Sequence, residues 1–233
     1  MYRIEHREAV DAYTQLHGLE QVLPDRLRSH AAICVFAQGE NICVQGEPAS
    51  TLYVLVKGKI KVFHNSPEGK TLVLSFRTPL EVIGDLEYIG GDAIHNYVEA
   101  VTEVSMIGIS YRALRESGED HAPLLRFLLE MMVKKLNYRT NHSSLNLMYP
   151  VETRFANYLL SVCCDETDAR FRGRLAVANV PDTANLLGTS YRHLNRVIRK
   201  LCDEGLIERN KSTIQVLDPE RLKRLAGSLG KEG

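Results

Sequence analysis

Six short runs rich in Val, Ile, Tyr and Phe dominate residues 31–110: Ile33–Ala37, Leu52–Val56, Ile60–His64, Thr71–Phe76, Val98–Val101 and Val104–Ile109. Glycines punctuate them, at Gly39, Gly46, Gly58, Gly69, Gly84 and Gly90-Gly91. Strands this short, recurring about every ten residues, predict an all-β sandwich or barrel. Glycine suits the corners because it turns with positive φ at no steric cost. The segment before these runs, Arg7 to His30, reads as one or two small helices.

The chain has 233 residues, room for one or two domains whose cores need no disulfide staples. Hydrophobic residues make up 44% and charged residues 25%, the balance of a soluble globular protein. The longest apolar run, Ala31–Ala37, is seven residues. A membrane span needs about 18. The start, Met1-Tyr2-Arg3-Ile4-Glu5-His6, has no apolar stretch like a signal peptide. Five cysteines, an odd count at irregular spacing, point to a reducing, cytoplasmic setting. No membrane partner is expected.

From His121 to Ser144 the period becomes helical, with Pro123 fitting a first turn. Leu125, Leu129, Met132 and Leu136 recur at spacings of 4, 3 and 4, an a/d-type seam. Leu124, Leu128, Met131 and Val133 add a second apolar face. A helix apolar on nearly all sides must be covered twice. The β-rich half covers one side; the same helix of a second chain most simply covers the other. The alternative is one helix buried inside a monomer. Past Leu136 the seam meets Arg139, Ser143 and Asn146, where apolar contact weakens. Pro150 marks a boundary, and a helical pattern resumes with Val151, Phe155, Tyr158, Leu159 and Val162.

The net charge is zero, but residues 151–233 carry 14 Lys and Arg against 11 Asp and Glu, and residues 1–150 carry 15 against 18. A basic face on a neutral chain is still an electrostatic footprint. Within that second part lies the stretch NVPDTANLLGTSYRHLNRVIRKLCDEGLI, Asn179 to Ile207. Asn179 can cap a helix that Pro181 begins. Ala184 is small where a second helix crosses, Gly188 allows the turn, and Ser190 can cap the next helix. Leu194, Val197, Ile198 and Leu201 bury one face, and Gly205 can end it. This is helix-turn-helix spacing, with Thr183 a departure where an aliphatic residue is expected. Tyr191, Arg192, Asn195, Arg196 and Arg199 remain exposed at the end that enters a major groove. Arg can pair guanine bidentately and Asn adenine, so Tyr191, Arg192, Asn195 and Arg196 are the expected base contacts. Leu206–Arg209 and Thr213–Val216 read as two strands of a wing joined at Asn210-Lys211. Asn179, Thr189, Ser190, Arg199, Arg209 and Lys211 are the expected contacts to the DNA backbone.

Together these parts resemble the Crp/Fnr family of bacterial transcription regulators, from about Ala31 to Leu217. The resemblance rests on the helix-turn-helix and on a second motif. That motif is Gly39-Glu40-Asn41-Ile42-Cys43-Val44-Gln45-Gly46-Glu47-Pro48-Ala49-Ser50-Thr51-Leu52-Tyr53, then Val56-Lys57-Gly58-Lys59-Ile60-Lys61-Val62. It looks like the family's β-roll signature almost position by position. The resemblance implies an α+β chain in three parts. A jelly-roll-like β-roll sensor occupies 1–120, a dimerisation helix and hinge 121–149, and a winged helix-turn-helix domain 150–233. It further implies a homodimer on two-fold related double-stranded DNA, and contact with RNA polymerase if the protein is an activator. Leu125, Leu129, Met132 and Leu136 would form the dimer interface. Arg196 matches the family's recognition-helix arginine, whereas Tyr191 and Arg192 fall where many members carry arginine and glutamate. Loss of that glutamate removes an acceptor for cytosine N4, so the half-site should differ.

Cyclic nucleotide binding in that family uses a Gly-Glu-Leu cassette and a following Arg-Ser or Arg-Ala. Here the stretch reads Gly84-Asp85-Leu86-Glu87, then Ile94-His95-Asn96-Tyr97. Asp85 could accept a ribose hydroxyl, but no arginine stands ready to pair a phosphate, and His95 is the sole substitute. That absence argues against a cyclic nucleotide. Gly84, Asp85, His95 and Arg139 mark the expected effector pocket, with the effector unnamed. The first cysteine is Cys34 and no C-x2-C occurs, so the spacing does not favour an iron–sulfur cluster. Cys34 and Cys43 fall on strand-like residues, Cys163-Cys164 on a helix and Cys202 beside the recognition helix. A redox-active thiol stays open as a signal. The eight histidines make no i, i+4 pair, so no metal or cofactor is expected.

Two rival readings are a cupin-like enzyme and a regulatory module that acts on protein partners without DNA. The β region has no H-x-H, and no H-E-x-x-H, G-x-S-x-G or G-x-x-x-x-G-K occurs in the chain, so catalysis is not expected. The second rival leaves Tyr191, Arg192, Asn195 and Arg196 unexplained.

Overall fold

The computed structural model describes residues 2–4, 7–69, 71–91, 93–118, 120–163, 174–176 and 180–226. They form two compact units, Met1–Asn137 and Tyr138–Gly233.

The first unit starts with β1 (Tyr2–Ile4), α1 (Arg7–Leu16) and α2 (Asp25–Arg28). The roll follows: β2 (Ala31–Phe36), β3 (Asn41–Cys43), β4 (Thr51–Lys57), β5 (Ile60–Asn65), β6 (Thr71–Arg77), β7 (Glu81–Ile83), α3 (Asp85–Gly90), β8 (Tyr97–Ala100) and β9 (Val104–Ser110). Then come α4 (Tyr111–Gly118) and the long α5 (Ala122–Met148), whose last turns belong to the second unit. A five-stranded sheet runs β1-β2-β9-β4-β7 and a four-stranded sheet β3-β8-β5-β6, with antiparallel pairing throughout. All six expected strands are present. β1, β3 and β7 lie outside the expected runs; each has three residues, too few to display a period.

The larger sheet is buried on both faces, because alternate side chains of a strand point to opposite sides. Ile33, Val35, Leu52, Val54, Ile107 and Ile109 pack with α1, α2, α4 and α5. The residues between them, Cys34, Phe36, Leu55 and Met106, pack against Ile60, Val98 and Ala100 of the smaller sheet. Two cores on one strand account for the unbroken apolar run Ala31–Ala37.

α5 enters the first core through Leu124, Phe127, Leu128 and Met131. The seam residues remain outside: Leu125 is 44% exposed, Leu129 62% and Leu136 65%, with Met132 half-buried. Val133, expected on the face of Leu124, Leu128 and Met131, is 49% exposed. It lies four residues past Leu129 and continues the exposed row.

The second unit contains α6 (Val151–Cys163), β10 (Arg174–Ala176), α7 (Val180–Leu186), α8 (Tyr191–Asp203), β11 (Ile207–Arg209), β12 (Thr213–Val216) and α9 (Pro219–Ala226). Its core gathers Phe155, Leu159, Ala184, Leu194, Ile198, Leu201, Ile207, Ile214 and Leu222. β12 is the central strand of a β10-β12-β11 sheet, so the two-stranded wing expected from sequence gains a third strand.

Candidate nucleic-acid interface

The turn between α7 and α8 is built from the backbone. Leu187 N donates to Thr183 O at 2.9 Å and Thr189 N to Ala184 O at 2.9 Å. Gly188 takes φ +60°, the left-handed conformation that glycine adopts freely. Ser190 is extended and caps α8, its Oγ accepting from His193 N at 3.1 Å. Thr183 is fully buried, and its hydroxyl shares a hydrogen bond with the Tyr158 side chain. The expected aliphatic residue is thus replaced by a polar group with a partner, which is what burial of a hydroxyl requires.

α8 is divided lengthwise. Leu194, Val197, Ile198 and Leu201 are buried, whereas Arg192, Arg196 and Arg199 are exposed and Tyr191 is 51% exposed. Asn195 differs from the arginines. Its Nδ2 donates to Tyr191 O at 2.9 Å, and its Oδ1 accepts from Arg209 Nη1 at 2.6 Å. Recognition helix and wing are therefore joined through this amide. Lys211 is exposed in the wing turn, where Asn210 Oδ1 accepts from Ser212 N at 3.0 Å and Thr213 N at 2.7 Å. Thr189 is half-buried in the turn, and Asn179 lies outside the described residues.

Residues 33–121 match the family model of the cyclic nucleotide-binding domain, and residues 153–225 that of the Crp-like helix-turn-helix domain. The chain belongs to the Crp/Fnr family of transcription regulators. It is 26% identical over 195 residues to the CRP-like cAMP-activated global transcriptional regulator of Mycobacterium tuberculosis, covering 82% of this chain and 86% of that one. It is 29% identical over 194 residues to the transcriptional regulator LdrP of Thermus thermophilus, covering 83% and 96%. A crystal structure of a CRP-family transcriptional regulator from Thermus thermophilus superposes with a TM-score of 0.72 at 27% identity, covering 84% and 97%.

The roll of this Crp/Fnr regulator departs from expectation at its α3. Gly84 takes φ +89°, and a Cβ there would lie 2.6 Å from Thr51 O and 2.9 Å from the Tyr111 hydroxyl oxygen, so only glycine fits. The Tyr111 hydroxyl donates to Gly84 O at 2.7 Å. Asp85 was expected to offer an acceptor. Instead it is buried, and Lys135 of α5 donates to both its carboxylate oxygens at 2.8 Å. The same Nζ donates to Val82 O at 2.6 Å and stands 3.4 Å from Glu81 Oε1, while Glu81 Oε2 faces Arg77 Nε at 3.2 Å. His95 is exposed, its backbone N held by Glu87 Oε1 at 3.1 Å. Arg139 is exposed and belongs to the second unit. Sequence reasoning missed Lys135, although it falls on the row Leu128, Met131, Lys135, at i, i+3 and i+7. A lysine on a buried row demands a buried anion.

Cys34 and Cys43 are buried in the roll. Burial, then the carboxylates of Glu87 and Glu47, push the Cys43 thiol up to about 12. Burial also raises the Cys202 thiol. Reactive thiols need the opposite shift. Cys164 lies outside the described residues. Among the described residues no three His, Cys, Asp or Glu converge as metal ligands, and no helix is long and apolar enough to cross a membrane.

Proposed function

We propose that this regulator acts as a cytoplasmic homodimer that places α8 in successive major grooves of a palindromic site, its half-sites about 34 Å apart. The observation that carries the reading is the lengthwise division of α8, apolar on the core side and cationic outside, behind a capped N-terminus. Arg192 and Arg196, with Tyr191, contact base edges. Asn195, whose amide is engaged at both ends, holds Arg209 toward the DNA rather than reading adenine. Thr189, Ser190, Arg199, Arg209 and Lys211 contact the backbone, as Asn179 would by its place before α7. The exposed row Leu125, Leu129, Met132 and Leu136, extended by Val133, supports self-association through α5. On this reading 1–120 senses, 121–149 pairs and 150–233 binds DNA. Contact with RNA polymerase follows if the protein activates, and the chain catalyses no reaction.

The signal differs from that of the cAMP-activated relatives. From Gly84 to Tyr97 no arginine or lysine is available for a phosphate, and Lys135 already answers Asp85.

Selection of duplexes from a random DNA library with reduced, effector-free protein tests the reading. An enriched palindrome supports it. If enrichment fails both alone and with cell extract added, the DNA reading falls; enrichment only with extract shows that an effector is required.

A further inference from the structure

Three polar side chains behind the turn of the helix-turn-helix take no part in the surface that would face DNA. Arg154, on α6, donates through Nη1 to the Leu187 carbonyl, and to Asn146 Oδ1 at 2.8 Å. Asn146 Nδ2 lies 3.2 Å from His142 Nδ1, one turn back along α5. A guanidinium can only donate, so Arg154 fixes which end of the Asn146 amide faces it. The NH₂ then faces His142, and an NH₂ also only donates. His142 Nδ1 must therefore be an accepting lone pair, on a neutral ring protonated at Nε2.

The relay sits against the tightest point of the turn. A Cβ on Gly188 would lie 3.6 Å from Asn146 Nδ2 and 3.7 Å from Arg154 Nη1. His142 is half-buried, with Tyr138 stacked on it at 5.7 Å. The charged group acting on it is Arg154, from α6; its own helix presents Tyr138 and Asn146. A proton on Nδ1 sets N–H against NH₂ and brings a second cation near Arg154. Rotating the Asn146 amide mends the His142 end and breaks the Arg154 end. No orientation satisfies both.

We propose that His142, Asn146 and Arg154 are positioning residues for DNA recognition, a proton-sensitive brace that holds the Leu187–Gly188 turn in place while His142 is neutral. Burial first, then Arg154, lower the histidine's pKa below its ordinary value. With the folded value lowered, stability is intact above the ordinary histidine value of about 6.5 and falls as pH drops from there toward the lowered value. The proposal rests on the DNA-binding reading. His193, the other histidine of the second unit, lies exposed on α8, apart from the relay.

Two measurements on the full chain test this. Nitrogen-resolved NMR of the histidine rings should show neutral His142 protonated at Nε2, with a titration midpoint below about 6.5. Fluorescence anisotropy with a duplex recovered from the random library should show affinity falling by more than about tenfold between about pH 7.5 and 5.5, as loss of a charge-assisted hydrogen bond implies. Asn146→Asp offers an acceptor to both Arg154 and protonated His142. It should raise the His142 midpoint and abolish or reverse the fall in affinity, and His142→Gln should flatten it. A proton on Nδ1 at neutral pH, or superimposable pH profiles for wild type and Asn146→Asp, overturns the proposal. If the variants fail to fold, the wild-type ring tautomer and pH profile decide it. Absence of duplex binding by wild type at every pH sinks the DNA reading and the proposal with it, while the ring titration still reports on the relay.

Discussion

The two units of this regulator open a helix in the same way and then use charge in opposite ways. Each places a glycine of positive φ before a short polar stretch, Gly84 ahead of α3 and Gly188 ahead of α8. After Gly188 the arginines of α8 remain in water. Around Gly84 the carboxylates turn inward: the Asp85 side chain, just after it, is 3% exposed and that of Glu81, just before it on β7, 9%, both facing Lys135. An exposed charge pays little to wait for a partner from outside. A buried charge must already have one, because its desolvation costs several kcal/mol. The α8 surface is thus poised for an anion, and the α3 corner of the roll already holds its own ion pair.

The largest expected effect breaks that internal pair. Lys135→Met should destabilise the first unit by about 3–5 kcal/mol, since it strands the buried carboxylate of Asp85 and leaves Glu81 with Arg77. Urea unfolding followed by circular dichroism measures it. Adding Asp85→Asn should recover part of the loss, because an amide carries no buried charge. An unchanged midpoint for Lys135→Met would mean that water reaches the pair and that the contrast between the units is false.

On the other side of the comparison, Arg196→Ala should weaken binding to the selected duplex by about 1–3 kcal/mol and relax specificity at one base pair. Anisotropy against single-base variants of the site reads both. Equal losses on every variant would make Arg196 a backbone contact. Ser190→Ala removes the cap of α8 and should cost about 1 kcal/mol of stability in the second unit. A thermal melt that fails to shift would show that solvent replaces the Oγ acceptor at no cost.

How far the sequence reveals each unit follows from the range of the interactions. The turn of the helix-turn-helix depends on neighbours: Ala184, Gly188 and Ser190 act within a few residues, and their types state their roles. The strands are legible for the same reason, since β4 and β9 carry their burial pattern locally. The α3 corner is not, because Asp85 meets a lysine brought from another element, and no local pattern pairs them. Asn195 shows the same limit inside the better-read unit. Its place on α8 suggests a base contact, whereas Arg209, from the wing, claims its carbonyl. Arg154 could not be connected to Leu187 from spacing alone.

The smallest expected effect sharpens the contrast between reading and holding. Lys211 is exposed in the wing turn, which Asn210 holds by four hydrogen bonds from Ser212 and Thr213 without help from Lys211. Lys211→Ala should therefore leave the fold alone and remove one ammonium near a phosphate. Each phosphate contact releases about 0.9 counterion, so the dependence of log affinity on log salt should become shallower by about 1. The loss should be the same for the selected palindrome and for a scrambled duplex, because a phosphate carries no sequence. Arg209→Ala makes the informative comparison. It loses a similar charge, but also releases the Asn195 carbonyl and so should disturb specificity as well as the salt slope. If the two variants behave alike, the bond between wing and recognition helix has no bearing on which bases are read.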